Sequence, residues 1–275
     1  MPMAKRAGTG LHLCEVLDIK NLSDQIYLMR LSCPAIATYA EPAQFVNVRV
    51  GERYIPLLRK PFSICRKSAE EGWFEILWRV VGRGTELMSR YQPGDRVDVL
   101  GPLGRGFAFP RSTTHALLVG GGLGVAPLPF LAETTMKAGT KVEVFLGART
   151  ASELALVDVF RAMEAGVHLA TEDGSQGTRG LVTDLVVDRL QRDPVPTGIR
   201  LFGCGPTGLL RRLIELSMEF GVPGYVSLET MMGCGFGICM GCPVKVRERQ
   251  DGGGRYRLTC TEGPVFDTKE VEIDD

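Results

Sequence analysis

Up to about residue 110 the chain alternates apolar and polar positions in short runs: LHLCEVLDI, IYLMRLSC, FVNVRV, FEILWRVV and RVDVLGP, with QPGD (92–95) as a plain turn. A period of two over such lengths predicts strands, and their spacing predicts an antiparallel barrel or sandwich. From His115 the pattern changes to strand, glycine turn, helix: HALLVGGGLGVAPL, KVEVFLGA, GVHLATED, a helical LVTDLVVDRLQ, then GIRLFGCGP. Strands alternating with helices predict a parallel sheet. The segment QRDPVPTG (191–198) reads as a loop within that module. After about Val226 neither pattern continues, and a glycine- and cysteine-rich tail forms a third, small unit with DGGG (251–254) as a hairpin tip. The expectation is a multidomain β plus α/β protein with units at 1–110, 111–225 and 226–275.

Composition narrows the partners. The 275 residues are 44% hydrophobic, enough to bury a core, and Lys+Arg and Asp+Glu are both 32. With no net field, nucleic acid and anionic membranes are not expected, which leaves small molecules or another protein. The N-terminal MPMAKRAGTGLHLCEV lacks the apolar core of an export signal. The uncharged stretch from Ala116 to Ala132 is interrupted by Gly120, Gly121, Gly122, Gly124, Pro127 and Pro129, so it makes a poor membrane span. A cytoplasmic location is expected, where the eight cysteines serve as thiols or metal ligands.

Four of those cysteines, Cys234, Cys239, Cys242 and Cys260, have the spacing C-x4-C-x2-C-x17-C of plant-type [2Fe–2S] ligation. Iron carrying bridging sulfide is a soft centre that takes thiolates, and four complete two tetrahedral irons. The ligated cluster is anionic, so backbone N–H groups must turn toward the sulfurs; Gly233, Gly235, Gly237 and Gly241 allow that approach. A structural zinc site is the alternative, although zinc usually takes two C-x2-C pairs. Cys14, Cys33 and Cys65 fall in strand-like runs and read as small buried apolar residues.

VGGGLGVAP (119–127) follows the apolar run ALLV and opens a helix, with Pro127 suited to its first turn. Strand, glycine turn and helix start together form an anion site. The fingerprint G-x-G-x-x-G is not met, because Val125 stands where the third glycine belongs, so a turn serving chain geometry alone remains open. No acidic residue ends KVEVFLGAR to hold an adenosine ribose. Glu172 and Asp173, after the third strand, would substitute and would disfavour a 2′-phosphate, pointing to NAD over NADP; a solvated acidic turn is the other reading.

In the β-rich module LLRKPFSIC (57–65) and EILWRVVGRGTELMS (75–89) stand out. The first carries Arg59, Lys60, Pro61, Phe62 and Ser63; the second carries Leu77, Trp78 and Arg79 on a strand, then Gly82, Gly84 and Thr85 at a turn. Amides and a hydroxyl there would hold a diphosphate, unless both are simply strand ends with solvated charges.

With KPFS, LWRVVGRGT, GDRVDVLGPLGRGF, VGGGLGVAPL, TEDGSQGTRGLVTD, CGP, SLETMMGCGFGICMGCPVKV and CTEGPVFD in this order, nearly the whole chain resembles the ferredoxin–NADP reductase superfamily. Within it, the chain is most similar to the electron-transfer subunits of two-subunit, NAD-dependent dihydroorotate dehydrogenases. The resemblance implies an antiparallel barrel binding FAD, an α/β domain binding NAD and a C-terminal [2Fe–2S] domain. It implies FAD between the two larger domains, with Pro61, Phe62 and Ser63 at the isoalloxazine and ribityl side. Leu77, Trp78 and Arg79 would flank it, and Gly84 and Thr85 would hold its diphosphate. Where the family has arginine three residues before the serine this chain has Lys60, a point charge without the bidentate fork, so the contact would weaken or pass to Arg59. The nicotinamide nucleotide would occupy the turn Gly120, Gly121, Gly122, Gly124 to Pro127, with Cys204, Gly205 and Pro206 near its ring; Cys204 reads equally well as a structural strand-end residue.

A flavin joins two-electron nicotinamide to a one-electron cluster, so the protein needs no acid, base or nucleophile of its own. His115 and His168, on strand-like segments, read as structural. The implied partner is an FMN-containing catalytic subunit oxidising dihydroorotate to orotate, in a heterotetramer of two copies of each. The rival readings are a reductase subunit of another ferredoxin-, sulfur- or hydrogenase-type system, and a zinc-stapled nucleotide-binding sensor.

Overall fold

The computed structural model describes residues 8–23, 25–51, 56–192, 196–247 and 255–273. The expected tip at 251–254, the first residues of the N-terminal stretch, and 193–195 of the expected loop lie outside the described residues.

The alternating runs become β1 (Gly10–Ser23), β2 (Ile26–Ser32), β3 (Phe45–Val48), β4 (Lys60–Ser68), β5 (Trp73–Arg79) and β6 (Arg96–Leu103), with short helices α1 (Pro34–Tyr39) and α2 (Arg83–Met88) between them. All pair antiparallel in a closed barrel of order β1-β2-β5-β4-β3-β6, which decides between barrel and sandwich. Inward positions fill it with Met29, Leu31, Val46, Ile64, Phe74, Ile76 and Val99. The period of two on β1 buries Cys14 and Val16 and turns Leu11, Leu13 and Leu17 outward.

The second unit runs β7 (His115–Gly121), α3 (Leu128–Lys137), β8 (Lys141–Ala148), α4 (Val157–Ala162), β9 (Gly166–Thr171), β10 (Thr178–Arg179), α5 (Val182–Arg192), β11 (Ile199–Cys204), α6 (Thr207–Glu219) and β12 (Gly224–Ser227). Its strands are parallel in the order β10-β9-β8-β7-β11-β12. The chain winds from β7 to one side and returns through β11 on the other, so the sheet reverses between them. In such sheets a crevice opens beyond the strands' carboxyl ends at that reversal. The glycine turn at the end of β7 and Cys204–Gly205–Pro206 at the end of β11 both sit there. His168 stacks on Phe145 with ring centroids 4.5 Å apart, a packing role as expected.

The tail is less separate than its composition suggests. It forms the hairpin β13 (Pro243–Lys245) and β14 (Tyr256–Leu258), but β15 (Val265–Asp267) pairs antiparallel with β12 as the seventh strand of the sheet. The boundary expected after residue 225 therefore lies inside β12. Phe266, Val271 and Leu228 pack with Leu210 and Ile214 of α6. Each such burial is worth roughly 1.5–3 kcal/mol, so the tail is anchored rather than tethered. Among the described residues no helix is long and apolar enough to cross a membrane.

Candidate functional site

The cysteine loop lies against the barrel. Cys242 and Cys260 are buried with Phe45 of β3 and Leu103 of β6, while Cys234 is half-buried and Cys239 exposed. The sulfurs stand as two pairs: Cys242 Sγ is 3.2 Å from Cys260 Sγ, and the Cys234 and Cys239 thiols lie within hydrogen-bonding reach. Among the described residues no three His, Cys, Asp or Glu side chains close on one point. Two pairs suit two irons with two thiolates each, whereas one zinc needs all four sulfurs around a single centre.

Backbone geometry supplies the donors that an anionic cluster needs. Phe236 and Cys239 each donate a backbone N–H to Cys234 Sγ at 3.5 Å. Burial alone pushes the Cys234 thiol up, but these N–H groups outweigh it and bring the group to about 7. Cys260 has fewer such donors, and burial, then Cys242, push it up to about 12. Gly235 and Gly237 have φ of +81° and +91°, and a side chain on Gly235 would overlap the Asn47 amide. Gly233 and Gly241 face Cys239 Sγ, where an ideal Cβ would sit 3.3 and 3.5 Å away.

On the other side of Phe45 a cavity of about 350 Å3 opens between barrel and sheet. Pro61, Phe62, Ser63, Leu77, Trp78, Arg79 and Thr85 line it from the barrel, and Cys204 from the end of β11. The described residues fit a flavin on a specific ground: Arg79 Nε and Thr230 Oγ1, both on the wall, are buried without any hydrogen-bond partner. Trp78 is held by stacking on Tyr27, 5.5 Å between centroids, and by an Nε1–H bond to the Thr85 carbonyl.

Of the expected flavin contacts, Arg59, Lys60 and Gly84 lie off this cavity wall, and the Thr85 hydroxyl is engaged locally. Arg59 donates to both carboxylate oxygens of Asp98 at 3.0 and 2.9 Å and does not line this cavity. Lys60 and Gly84 cover one another outside the cavity wall, with an ideal Cβ on Gly84 only 3.0 Å from Lys60 Cε. Thr85 Oγ1 accepts the N–H groups of Val81 and Gly82 and donates to the Gly82 carbonyl, so this hydroxyl serves its own turn.

A second cleft, about 550 Å3, lies at the sheet's reversal and is lined by Gly121, Gly122, Gly124, Gly205 and Pro206. Gly122, with φ +53°, faces open space, whereas any side chain on Gly124 would overlap the Cys204–Gly205 backbone. Gly120 lies beneath against Leu128 and Val125, and Pro127 precedes α3 as its N-cap after a 3-10 turn at Gly122–Val125. Cys204 is fully buried and burial pushes its thiol up, so it is a neutral wall. Asp173 accepts from Ser175 within its own turn, while Glu172 reaches the cleft.

Arg79, Leu123 and Glu229 line both cavities, which therefore meet. Burial raises the Glu229 carboxyl above its ordinary range. Glu229, Phe45, Arg149 and Glu153 carry no local signal in the sequence that marks them as site residues. Asn47 does stand out, as the polar residue inside the apolar strand FVNV.

Barrel, reversing sheet and paired cysteines define a flavin- and pyridine-nucleotide-binding reductase extended by an iron–sulfur domain. Residues 229–272 match the family described as the iron–sulfur cluster binding domain of dihydroorotate dehydrogenase B. The chain is 41% identical over 258 residues to the dihydroorotate dehydrogenase B (NAD(+)) electron transfer subunit of Desulforamulus reducens, covering 94% of this chain and 96% of that one. To the same-named protein of Bacillus caldolyticus it is 40% identical, covering 96% and 99%. A solved NADH-dependent reduced ferredoxin–NADP oxidoreductase superposes with a TM-score of 0.82 at 32% identity over 96% of this chain and 91% of that one. Phthalate dioxygenase reductase shares the fold, with a TM-score of 0.64 at 18% identity over 92% and 94%. The chain belongs to the family of dihydroorotate dehydrogenase B electron transfer subunits.

Proposed function

We propose that this chain carries electrons between NAD and a catalytic subunit that oxidises dihydroorotate to orotate in pyrimidine synthesis. The partner is an FMN-containing dihydroorotate dehydrogenase, assembled as two copies of each subunit in the cytoplasm. The observation that carries the reading is the shared walls: Arg79, Leu123 and Glu229 join the two cavities, and Phe45 separates the barrel-side cavity from Cys242 and Cys260. Bound FAD supplies the exchange between a hydride pair and single electrons.

The residues of the chain bind, orient and exclude water. Pro61, Phe62, Ser63, Leu77 and Trp78 form the apolar seat, and Arg79 Nε and Thr230 Oγ1 are the polar groups awaiting partners within it. The glycine turn at Gly122 would offer its amides to a diphosphate, with Gly205 and Pro206 also lining the cleft. Cys234, Cys239, Cys242 and Cys260 ligate the cluster, Cys239 on the exposed side beside Ile238 and Met240, where a partner would dock.

Anaerobic mixing of the holo-chain with its partner, dihydroorotate and NAD+ tests the reading by the appearance of NADH. Absence of NADH, with flavin and cluster both in place, would exclude dihydroorotate but not a reductase role. Likeness to the NADH-dependent ferredoxin–NADP oxidoreductase supports that second reading, and co-purification with a different catalytic partner would establish it.

A further inference from the structure

Five charged side chains line the nucleotide cleft: Arg79, Arg149, Glu153, Glu172 and Glu229. Both cations are engaged by one carboxylate. Glu153, in the turn after β8, accepts from Arg79 at 3.2 Å, and its other contacts are with Arg149: the head group pairs with Oε1, and Nε donates to Oε2 at 3.2 Å. The Arg149 backbone N–H also reaches Oε2 at 3.4 Å. The Glu153 side chain is 17% exposed and that of Arg149 is 69% exposed, so a largely fixed acid holds a cation that otherwise extends into solvent. Glu172 adds its charge beside the same arginine.

The two nicotinamide nucleotides differ by one 2′-phosphate, a dianion that needs an uncommitted guanidinium or ammonium. Their diphosphates are alike and would be met by the glycine-turn amides. We propose that Glu153 is the residue that sets the preference for NAD over NADP, by occupying both arginines of the cleft and leaving a 2′-phosphate to face carboxylates. This rests on the nucleotide reading of the cleft. Glu153 is a specificity residue acting through Arg149; its pairing with Arg79 also ties the sheet domain to the barrel, and a purely structural role would weaken both nucleotides alike.

The test is calorimetric titration of the FAD-loaded chain with NAD+ and with NADP+, comparing dissociation constants. In the wild type NAD+ binds more tightly; binding of neither nucleotide would refute the nucleotide reading of the cleft, whereas equal or inverted affinities would refute the preference assigned to Glu153. In E153Q, the affinity for NADP+ rises by about tenfold, the worth of one charge-assisted hydrogen bond, while that for NAD+ changes by less than about threefold. R149A added to E153Q removes the gain. E172Q leaves the interdomain ion pair intact and moves NADP+ in the same direction by a smaller factor. Wild-type preference for NAD+ that persists unchanged in E153Q and E172Q, or parallel shifts for both nucleotides, overturns the assignment.

Discussion

Asn47 Nδ2, on barrel strand β3, donates a 3.0 Å hydrogen bond to the carbonyl of Cys234, the first cysteine of the cluster loop, 187 residues away in the chain. Asn47 is fully buried, and its Oδ1 has no partner. One amide thus fixes the loop's start against the barrel, and the absence of a Cβ on Gly235 lets it pass.

Replacing Asn47 by alanine removes the donor that the half-buried Cys234 carbonyl receives from the barrel, which costs about 1–3 kcal/mol. Asn47→Ala therefore lowers the thermal midpoint and releases the cluster sooner under a chelator, followed by the fading of its visible absorbance. FAD content stays unchanged, because Asn47 does not line the flavin cavity. Equal loss of FAD and cluster would contradict this anchoring role.

Phe45 touches the cluster side through Cys242 and Cys260 and the cavity side through its wall. Phe45→Ala opens a void there and costs about 3–5 kcal/mol of stability. Bleaching of the flavin by NADH persists in this variant, whereas reduction of the cluster, read by low-temperature electron paramagnetic resonance, slows. A slowing of both steps in proportion would show that Phe45 merely holds the fold.

The barrel and the parallel sheet are legible in the residues because each rests on a local period, two in LHLCEVLDI and strand–turn–helix in HALLVGGGLGVAPL. The paired sulfurs are legible because three of the four cysteines lie within one loop. The β12–β15 pairing is not, since VFD is three residues long, too short for a period to show, and finds β12 only through long-range pairing and the packing of Phe266 on α6. Nor are the roles of Arg59 and Thr85 legible: both are of the type that holds phosphate, and only tertiary placement sends one to Asp98 and the other back to Gly82. Arg149 and Glu153 form an ordinary four-apart pair in sequence; their meeting with Arg79 depends on the two domains being apposed.

Metal content separates the cluster from zinc. The chain as purified anaerobically carries about two irons and two sulfides and is coloured. Cys242→Ser or Cys260→Ser, in the buried pair, abolishes the cluster while flavin reduction by NADH continues. A colourless chain with one zinc would overturn the iron assignment.

The last relationship concerns pH. Glu143 on β8 is buried, which raises its carboxyl, but Arg189 of α5 donates to both oxygens at 3.0–3.1 Å and, with His168 at 3.6 Å, brings the net value below the ordinary carboxylate range. A carboxyl held lower in the fold than in the unfolded chain adds stability above its unfolded value and loses it as pH falls through its folded value. The tie between α5 and β8 therefore weakens only in acid. Arg189→Leu removes the donor and the charge that do most to lower the Glu143 carboxyl, leaving its burial opposed only by His168 and Lys141, and so moves its titration upward. The variant unfolds at a higher pH than the wild type in an acid titration followed by circular dichroism. An unchanged acid midpoint would show that the Glu143–Arg189 pair contributes nothing to stability.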